Sequence, residues 1–524
     1  MSPDEHETPP ITAREFWTVV ALIFVWLSAT AGLRLLTLPD EGRYVGVAWE
    51  MLRSGDWLTP TLDGMPFFHK PPLFYWITAA SLKLFGLHAW AGRLASIIGA
   101  TLGSFALYLF VRRWRGLKMA RTTALVLLAQ PLFYIGAQFA NLDMLVAGCI
   151  SATVLLLADS VLSRERGQPW RRRLLAAYAM AALGVLAKGL IGFVLPGFII
   201  TVWLLIGGRW RSLWRLMSGS GLAIFLLIAA PWFVAMQQRF PDFLHYFFVV
   251  QHFQRFAEGG FNNVQPFWFY PAVLALASLP SLPWLVALVR RRPMLLHDGG
   301  HGDVRLLMCV WLLCIVGFFS APQSKLVGYV LPALAPLGFL IADAFDSWPA
   351  PSRRVQRLWR LSMTLTLLVS VGVVLGLAAH PLKSSQMLAL ALKRHAQPGE
   401  PLVMLRSYAY DLPFYARWQQ SVTVIDDWAS PEVQASDNWR KELADARRFA
   451  PDAGAMLLQP AQLAAALCRV PVAWVVGETA DQPSRWPILA SADAVASAGG
   501  STLWRVEAKA LDCPGKPNAG LAGR

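Results

Sequence analysis

Two adjacent carboxylates, Asp40 and Glu41, stand in the run Leu-Pro-Asp-Glu-Gly-Arg-Tyr, directly after the first long apolar stretch of the chain. Such a pair at a membrane surface can supply a general base, ligate a metal, or simply open a helix, since Asp is a common N-cap. Arg43 and Tyr44 follow in the same run and are expected to contact substrate. Lys70 is wedged between aromatics and prolines in Phe67-Phe68-His69-Lys70-Pro71-Pro72. Its ammonium can hold an anionic group there or snorkel towards lipid headgroups. Asp143 sits in the turn Asn141-Leu142-Asp143-Met144. A charge at the centre of a membrane helix costs about 2.5–3.5 kcal/mol on insertion scales, and less near the end, so a cation or hydroxyl partner is expected, with a helix cap as the alternative. Lys188 interrupts an otherwise apolar stretch from 174 to 207 and either binds phosphate or pairs with a carboxylate. His252, Arg255 and Glu258 lie together in a later polar segment. Lys325 and Tyr329 are four residues apart and share a face if that segment is helical.

These types suit one kind of chemistry. A phosphate leaving group needs its developing charge stabilised, and fixed Lys or Arg side chains can do this. A hydroxyl acceptor needs a carboxylate base within about 2.6–3.2 Å. The two requirements meet only if distant stretches of the chain converge.

The elements that could bring them together are membrane helices. A span needs about 20 apolar residues, and about eleven stretches qualify, near 16–36, 91–111, 120–139, 142–162, 174–187, 189–207, 216–236, 267–289, 304–321, 326–344 and 361–379. With residues 1–15 inside, the inside connections are Arg112–Arg121, Arg164–Arg173, Arg209–Arg215, Arg290–Asp303 and the stretch around Arg353–Arg360. Every one is rich in Arg or Lys, as cytoplasmic loops are. The outside segments are then 37–90, the turns near 140–143, Lys188 and 322–325, the segment 237–266, and a tail from His380. The unusual polar residues all fall outside. Within 37–90, the runs Tyr44–Leu52 and Pro72–Phe85 have helical apolar spacing and read as amphipathic helices in the interface.

The expected organisation is a cytoplasmic N-terminus over 1–15, a membrane bundle over 16–379 with the loop 37–90, and a small soluble α/β domain over 380–524. In that tail, Pro401–Leu405, Val422–Ile425, Val472–Val476 and Ser501–Val506 read as strands and Pro460–Leu467 as a helix. The fold class is an all-α polytopic membrane bundle with this α/β domain attached.

Composition agrees. The 524 residues are 56% hydrophobic and 15% charged, against about 25% charged in soluble domains. The net charge of +15 comes from short basic runs between apolar stretches, which excludes nucleic acid as the natural partner. The first apolar run is too long for a signal h-region and reads as the first span. None of the five Cys forms a CxxC pair. Cys468 and Cys513 in the tail either pair or stay as two thiols.

Several ordered motifs resemble one family. Pro-Asp-Glu-Gly-Arg-Tyr (39–44), Ser-Gly-Asp-Trp-Leu-Thr-Pro (54–60), Phe-His-Lys-Pro-Pro-Leu-Phe-Tyr-Trp (68–76) and Ala-Gly-Arg-Leu (91–94) come first. Gln-His-Phe-Gln-Arg-Phe (251–256), Gln-Pro-Phe-Trp-Phe-Tyr (265–270), Ser-Lys-Leu-Val-Gly-Tyr-Val-Leu-Pro (324–332) and Asp-Leu-Pro-Phe-Tyr (411–415) follow. The chain is similar, from residue 39 to about 430, to the lipid A-modifying, aminoarabinose-transferase-like glycosyltransferases of the protein O-mannosyltransferase superfamily. The resemblance implies a GT-C fold in a bacterial inner membrane, with the active site facing the periplasm. It implies inverting transfer from a polyprenyl-phosphate-linked sugar donor, undecaprenyl phosphate being the carrier, to a lipid A, glycan or protein acceptor. By motif match, Asp40 is the catalytic carboxylate with Glu41 beside it, and Asp143 is the acidic residue of the second outer loop. Lys70 is the lysine facing the carrier phosphate, and Arg255, Lys325 and Tyr329 fall near donor or acceptor.

One departure stands out. Members of the family that modify lipid A commonly carry Glu before the Lys-Pro, at a position associated with a metal, and this chain has His69 there. A divalent metal therefore stays open, with His69 and His252 as a candidate neutral-imidazole site. The competing reading of the whole chain is a transporter or flippase for an anionic lipid-linked solute. Transporters place their charges at mid-depth, usually in internal repeats, and no repeat is visible here.

Overall fold

The computed structural model describes residues 11–254, 263–285, 299–348, 350–381, 383–435, 438–481, 485–511 and 513. Their elements in chain order begin with α1 (Ala13–Ser28), α2 (Asp40–Ser54), β1 (Thr61–Leu62), β2 (Met65–Pro66), α3 (Leu73–Phe85) and α4 (Ala89–Gly92). The next are α5 (Leu94–Ala129), α6 (Pro131–Ala137), α7 (Leu142–Glu165), α8 (Arg171–Lys188), α9 (Ile191–Ile206), α10 (Trp210–Leu216) and α11 (Gly219–Arg239). A π-helix, His245–Gln254, precedes α12 (Phe269–Ala277) and α13 (Gly299–Ser320). A 3-10 turn, Val327–Ala333, runs into α14 (Leu334–Asp346), followed by α15 (Arg353–Ala379) and α16 (Gln386–His395). Packing divides the chain into two units, one of residues 1–34 and 69–380, the other of 35–68 and 381–524.

The first unit is helical. Among the described residues six helices are long and apolar enough to cross a membrane: Leu94–Ala129, Leu142–Glu165, Gly219–Arg239, Gly302–Ser320, Val327–Asp346 and Arg353–Ala379. The sequence suggested about eleven, and helices do stand at the remaining positions. They are short, as α1 and α9 are at 16 residues each, or charged, as α8 is with Arg171, Arg172, Arg173 and Lys188. Part of 267–289 lies outside the described residues. Two expected spans, 91–111 and 120–139, fall within α5 and α6 as separate helical runs joined through Arg112–Arg121. The chain leaves helical geometry at Gly116, whose φ of 86° suits glycine, and doubles back, so that Gly99 and Gly103 before the break line one small cavity with Leu127 after it.

Charge pairing fixes the two ends of this unit. Asp159, near the end of α7, accepts the Arg173 guanidinium at 2.6 Å and the Trp114 indole at 3.0 Å. Asp343, fully buried on α14, receives Arg115 and Arg305 at 2.6 Å each. Asp143 opens α7 sixteen residues before Asp159, which at 1.5 Å per residue puts it about 24 Å away. Small residues pull α7 onto α5 at that opposite end: a Cβ on Gly99 would stand 2.7 Å from the Met144 carbonyl.

The second unit contains the α/β fold expected in the tail. It adds β3 (Leu402–Leu405), α17 (Leu412–Ala416), β4 (Thr423–Ile425), α18 (Glu432–Ala435), α19 (Trp439–Arg448), β5 (Leu457–Leu458), α20 (Leu463–Leu467), β6 (Val472–Glu478), β7 (Asp493–Ala498) and β8 (Ser501–Glu507). Six strands lie in the order β5-β4-β3-β6-β8-β7. The β5-β4-β3-β6 half is parallel and β6-β8-β7 antiparallel. Val403, Ile425, Leu467, Val475 and Trp504 pack in its core. All four strands read from the sequence are present. β5 was too short to read, and the alanines of β7 carry little strand preference. Cys468 and Cys513 form a disulfide. Residues 61–66 make a hairpin turning at Asp63 and Gly64, both with positive φ. Glu50 of α2 accepts both turn N–H groups, at 2.7 and 2.9 Å.

Candidate functional site

The residues singled out in the sequence divide between the two units. In the second unit, α2 starts at Asp40 without a side-chain cap. Glu41 closes the helix start instead: its Oε2 accepts the Thr37 N–H at 3.0 Å, and the residue is fully buried. Asp40 therefore stays open, with 38% of its side chain exposed. Arg43, one turn on, spends its two arms separately. Nη2 donates to Asp40 Oδ1 at 2.5 Å, and Nη1 donates to Glu442 Oε1 of α19. The other oxygen of Glu442 accepts the Tyr410 hydroxyl at 2.5 Å. The guanidinium lies over the Tyr44 ring at 4.9 Å and the Tyr410 ring at 5.9 Å, both within cation–π range.

Burial works against the Arg43 charge, but Glu442, then Tyr44, Tyr410 and Asp40, outweigh it and hold the pKa well above its ordinary value. Burial, with the Glu442 charge behind it, pushes the Tyr410 phenol far up, so it remains a donor. The outcome is a charged fork fixed on three sides that presents one arm to a half-open carboxylate.

The first unit holds the other expected residues. Asn141 caps α7 by accepting the Asp143 N–H at 2.6 Å, which frees the Asp143 carboxylate from capping. Lys188 is the last residue of α8, stopped by Gly189 at φ 88°. Lys188 pairs with Asp143, and its ammonium lies 4.4 Å from the centre of the Tyr329 ring. Both side chains are largely buried. Gly328 leaves room for the pair, since a Cβ there would stand 2.9 Å from Asp143 Cγ. Of the two readings open for Lys188, the structure has the carboxylate pair.

Lys325 is buried and donates to the Pro322 and Gln265 carbonyls at 2.5 and 2.8 Å. This holds the short bridge between Val264 and Ser324. Lys325 and Tyr329 do not share a helix face, because Lys325 precedes the helix and Val327–Ala333 is a 3-10 turn. Gly328 and Pro332 there disfavour a regular α-helix. Lys70 lies half-buried in the turn ahead of α3, followed by Pro71 and Pro72. His69 is buried, with Nε2 3.0 Å from the Tyr246 hydroxyl, which also accepts the Gln251 amide at 2.7 Å. His252 belongs to the π-helix. Its side chain, and Arg255 and Glu258 entirely, lie outside the described residues. Among the described residues no three His, Cys, Asp or Glu side chains come together to hold a metal ion.

The sequence reading missed Glu442, Tyr246 and the steric role of Gly328. Glu442 sits in an ordinary charged helix, Trp-Arg-Lys-Glu-Leu-Ala-Asp-Ala-Arg-Arg, which carries no local signal. Tyr410 immediately precedes the Asp-Leu-Pro-Phe-Tyr run, which proves to be a structural device. Asp411 accepts the Ser384 hydroxyl and Ser385 N–H at 2.7 and 2.9 Å, and the Tyr415 hydroxyl accepts the Leu36 N–H at 2.8 Å.

Comparison with known proteins gives this geometry a context. A family model described as dolichyl-phosphate-mannose-protein mannosyltransferase matches residues 69–234. The undecaprenyl phosphate-alpha-4-amino-4-deoxy-L-arabinose arabinosyl transferase of Pectobacterium carotovorum subsp. carotovorum is 32% identical over 398 residues, 74% of this chain and 68% of that protein. The protein of the same description from Pseudomonas aeruginosa (strain LESB58) is 30% identical over 407 residues, 76% and 69% of the two chains. Among solved structures, ArnT from Cupriavidus metallidurans bound to undecaprenyl phosphate is similar over 98% of this chain and 100% of that one, with a TM-score of 0.78 at 24% identity. That likeness shows a shared fold.

Proposed function

This chain belongs to the undecaprenyl phosphate-alpha-4-amino-4-deoxy-L-arabinose arabinosyl transferase family, and we propose that it moves an amino sugar of that type from undecaprenyl phosphate to a lipid A, glycan or protein acceptor. The protein is a membrane glycosyltransferase. The observation that carries the reading is the likeness, over three quarters of the chain, to relatives whose names state both carrier and sugar. The transporter alternative has no support among them.

In the transfer, an acceptor oxygen attacks the anomeric carbon of the sugar as the bond from that carbon to the carrier phosphate breaks. The configuration inverts, and the phosphate leaves with the bonding electrons. Asp40 is the carboxylate assigned to the acceptor. It takes the proton of a hydroxyl, or orients a phosphate acceptor that is already nucleophilic. Glu41 closes the helix that presents Asp40, and Arg43 with Tyr44 fixes the carboxylate. Lys70 stabilises the leaving phosphate. Asp143, Lys188 and Tyr329 form a second polar group, to which Lys325, His252 and Arg255 are assigned as donor or acceptor contacts.

The chain is placed in a bacterial inner membrane with about eleven spans, the short helices α1, α8 and α9 included. Its Arg-rich connections face the cytoplasm and the outer segments the periplasm. The Cys468–Cys513 disulfide supports an oxidising compartment for the tail. The test is reconstitution in nanodiscs with undecaprenyl-phosphate-linked aminoarabinose and, in separate arms, lipid A, a glycan or a protein acceptor, read by mass spectrometry. Transfer of one sugar unit is expected in one arm. Asp40→Asn is expected to abolish it in a folded protein, and wild-type rates in that variant would remove Asp40 from the mechanism.

A further inference from the structure

We propose that Glu442 and Tyr410 are positioning residues for the transfer: together they hold Arg43 so that its free arm fixes the Asp40 carboxylate towards the acceptor. The inference rests on the reading of Asp40 above.

An Asp and an Arg one turn apart on an exposed helix make a weak pair, worth about 0.3–0.5 kcal/mol, and sample many rotamers. Arg43 is different, because its side chain is only 16% exposed and its other arm is committed to Glu442, itself 7% exposed. Glu442 in turn is held at its second oxygen by Tyr410. The donors run in one direction, from the Tyr410 hydroxyl to Glu442, and from Arg43 to both Glu442 and Asp40. Of the four side chains Asp40 is the open one. Three groups fixed by burial and bonding thus end on the single group that can meet substrate. Charge fits as well. Glu442 balances Arg43, so the Asp40 carboxylate keeps a negative charge that one unshared guanidinium would cancel.

Two arms that reach two different carboxylates, and two ring faces beside the guanidinium, also explain why Arg, and not Lys, stands at 43. Glu442 lies on α19 of the C-terminal stretch, so that stretch supplies part of the machinery that aims the carboxylate as well as its own sheet.

The experiment measures kcat and KM for donor and acceptor, with thermal midpoints, for Glu442→Gln, Tyr410→Phe, Arg43→Lys and Glu442→Gln with Arg43→Lys. Misplacing a reacting group by an ångström costs about 100-fold, so Glu442→Gln and Arg43→Lys are expected to lose about that much kcat, with KM within twofold and the midpoint unchanged. The double variant should be no worse than either single, as residues acting as one unit are not additive. Tyr410→Phe keeps the ring over Arg43 and deletes one hydroxyl, so it serves if Glu442→Gln fails to fold. It is expected to lose about tenfold in kcat, the worth of one charge-assisted hydrogen bond. Wild-type kcat in Tyr410→Phe and in whichever of the other singles folds overturns the proposal. So does a loss in which kcat, KM and midpoint fall together, the mark of a purely structural network. Asp40→Asn run alongside separates the failures. An active Asp40→Asn defeats the parent reading, whereas an inactive Asp40→Asn beside a fully active Glu442→Gln defeats this inference alone.

Discussion

The Asp143–Lys188 pair lends itself to a double-variant cycle that separates holding the fold from performing transfer. The two charges come from different helices, α7 and α8, and their side chains are only 7% and 12% exposed. Solvent screening therefore removes little of their interaction. Lys188→Met leaves the Asp143 carboxylate buried against Gly328, with its ammonium gone. Removing one partner of a buried pair costs about 3–5 kcal/mol. Asp143→Leu strands the ammonium and is expected to cost the same. Replacing both with apolar residues of similar size should cost nearly nothing, so the coupling between the sites should exceed about 2 kcal/mol. Denaturant unfolding in a fixed detergent reads all four proteins. Costs that simply add would refute a paired, buried geometry. Activity supplies the second arm: the double variant should be as stable as wild type yet inactive, because the proposed site needs both charges. Wild-type transfer in that stable protein would confine the pair to a structural role. Gly328→Ala checks the same geometry without changing charge. Its Cβ would stand 2.9 Å from Asp143 Cγ and 3.2 Å from Asp143 Cβ, so the carboxylate must rotate away from Lys188, at a cost of about 1–3 kcal/mol.

Two further outcomes follow from the second unit. Burial pushes the Asp411 carboxyl up to about 6, against the Ser384 and Ser385 donors. The folded protein therefore holds this proton more tightly than the unfolded chain, whose value is 3.8. The associated stability is present below pH 4 and is lost as pH rises to 6, on the order of 3 kcal/mol. Thermal midpoints across pH 4–7 should show this loss in the wild type and not in Asp411→Asn, and identical slopes would contradict it. The Cys468–Cys513 disulfide closes a loop of 45 residues, so Cys468→Ser with Cys513→Ser should lose about 2–4 kcal/mol. Alkylation without reductant should leave both cysteines unmodified in the purified protein, and labelling of either would show that they are not paired.

What the sequence disclosed depended on what each residue costs where it stands. Lys188 was conspicuous because a charge within an apolar helix must find a partner, and Asp143 answers that requirement. The strands at 402–405, 423–425, 472–478 and 501–507 were legible because β-branched and aromatic residues concentrate there, while Asp-Ala-Val-Ala-Ser-Ala at 493–498 forms a strand only by pairing with β8. The turn at Gly116 was legible because Arg-rich flanks between two apolar runs mark a connection, and the chain does reverse there. Glu442 was invisible for the opposite reason. On a helix with five other charged residues in ten, a Glu needs no explanation, and its partner Arg43 lies 399 positions away. Only its near-complete burial singles it out, and burial is a property of the folded chain. The same contrast orders the two polar groups. Asp143 and Lys188 stand where an unpaired charge is costly, so selection for folding alone can retain them as a pair. Asp40 stands half-open to solvent, and Arg43, with the buried Glu442 and Tyr410 behind it, is arranged to fix it. That arrangement is the one the proposed role of Asp40 requires.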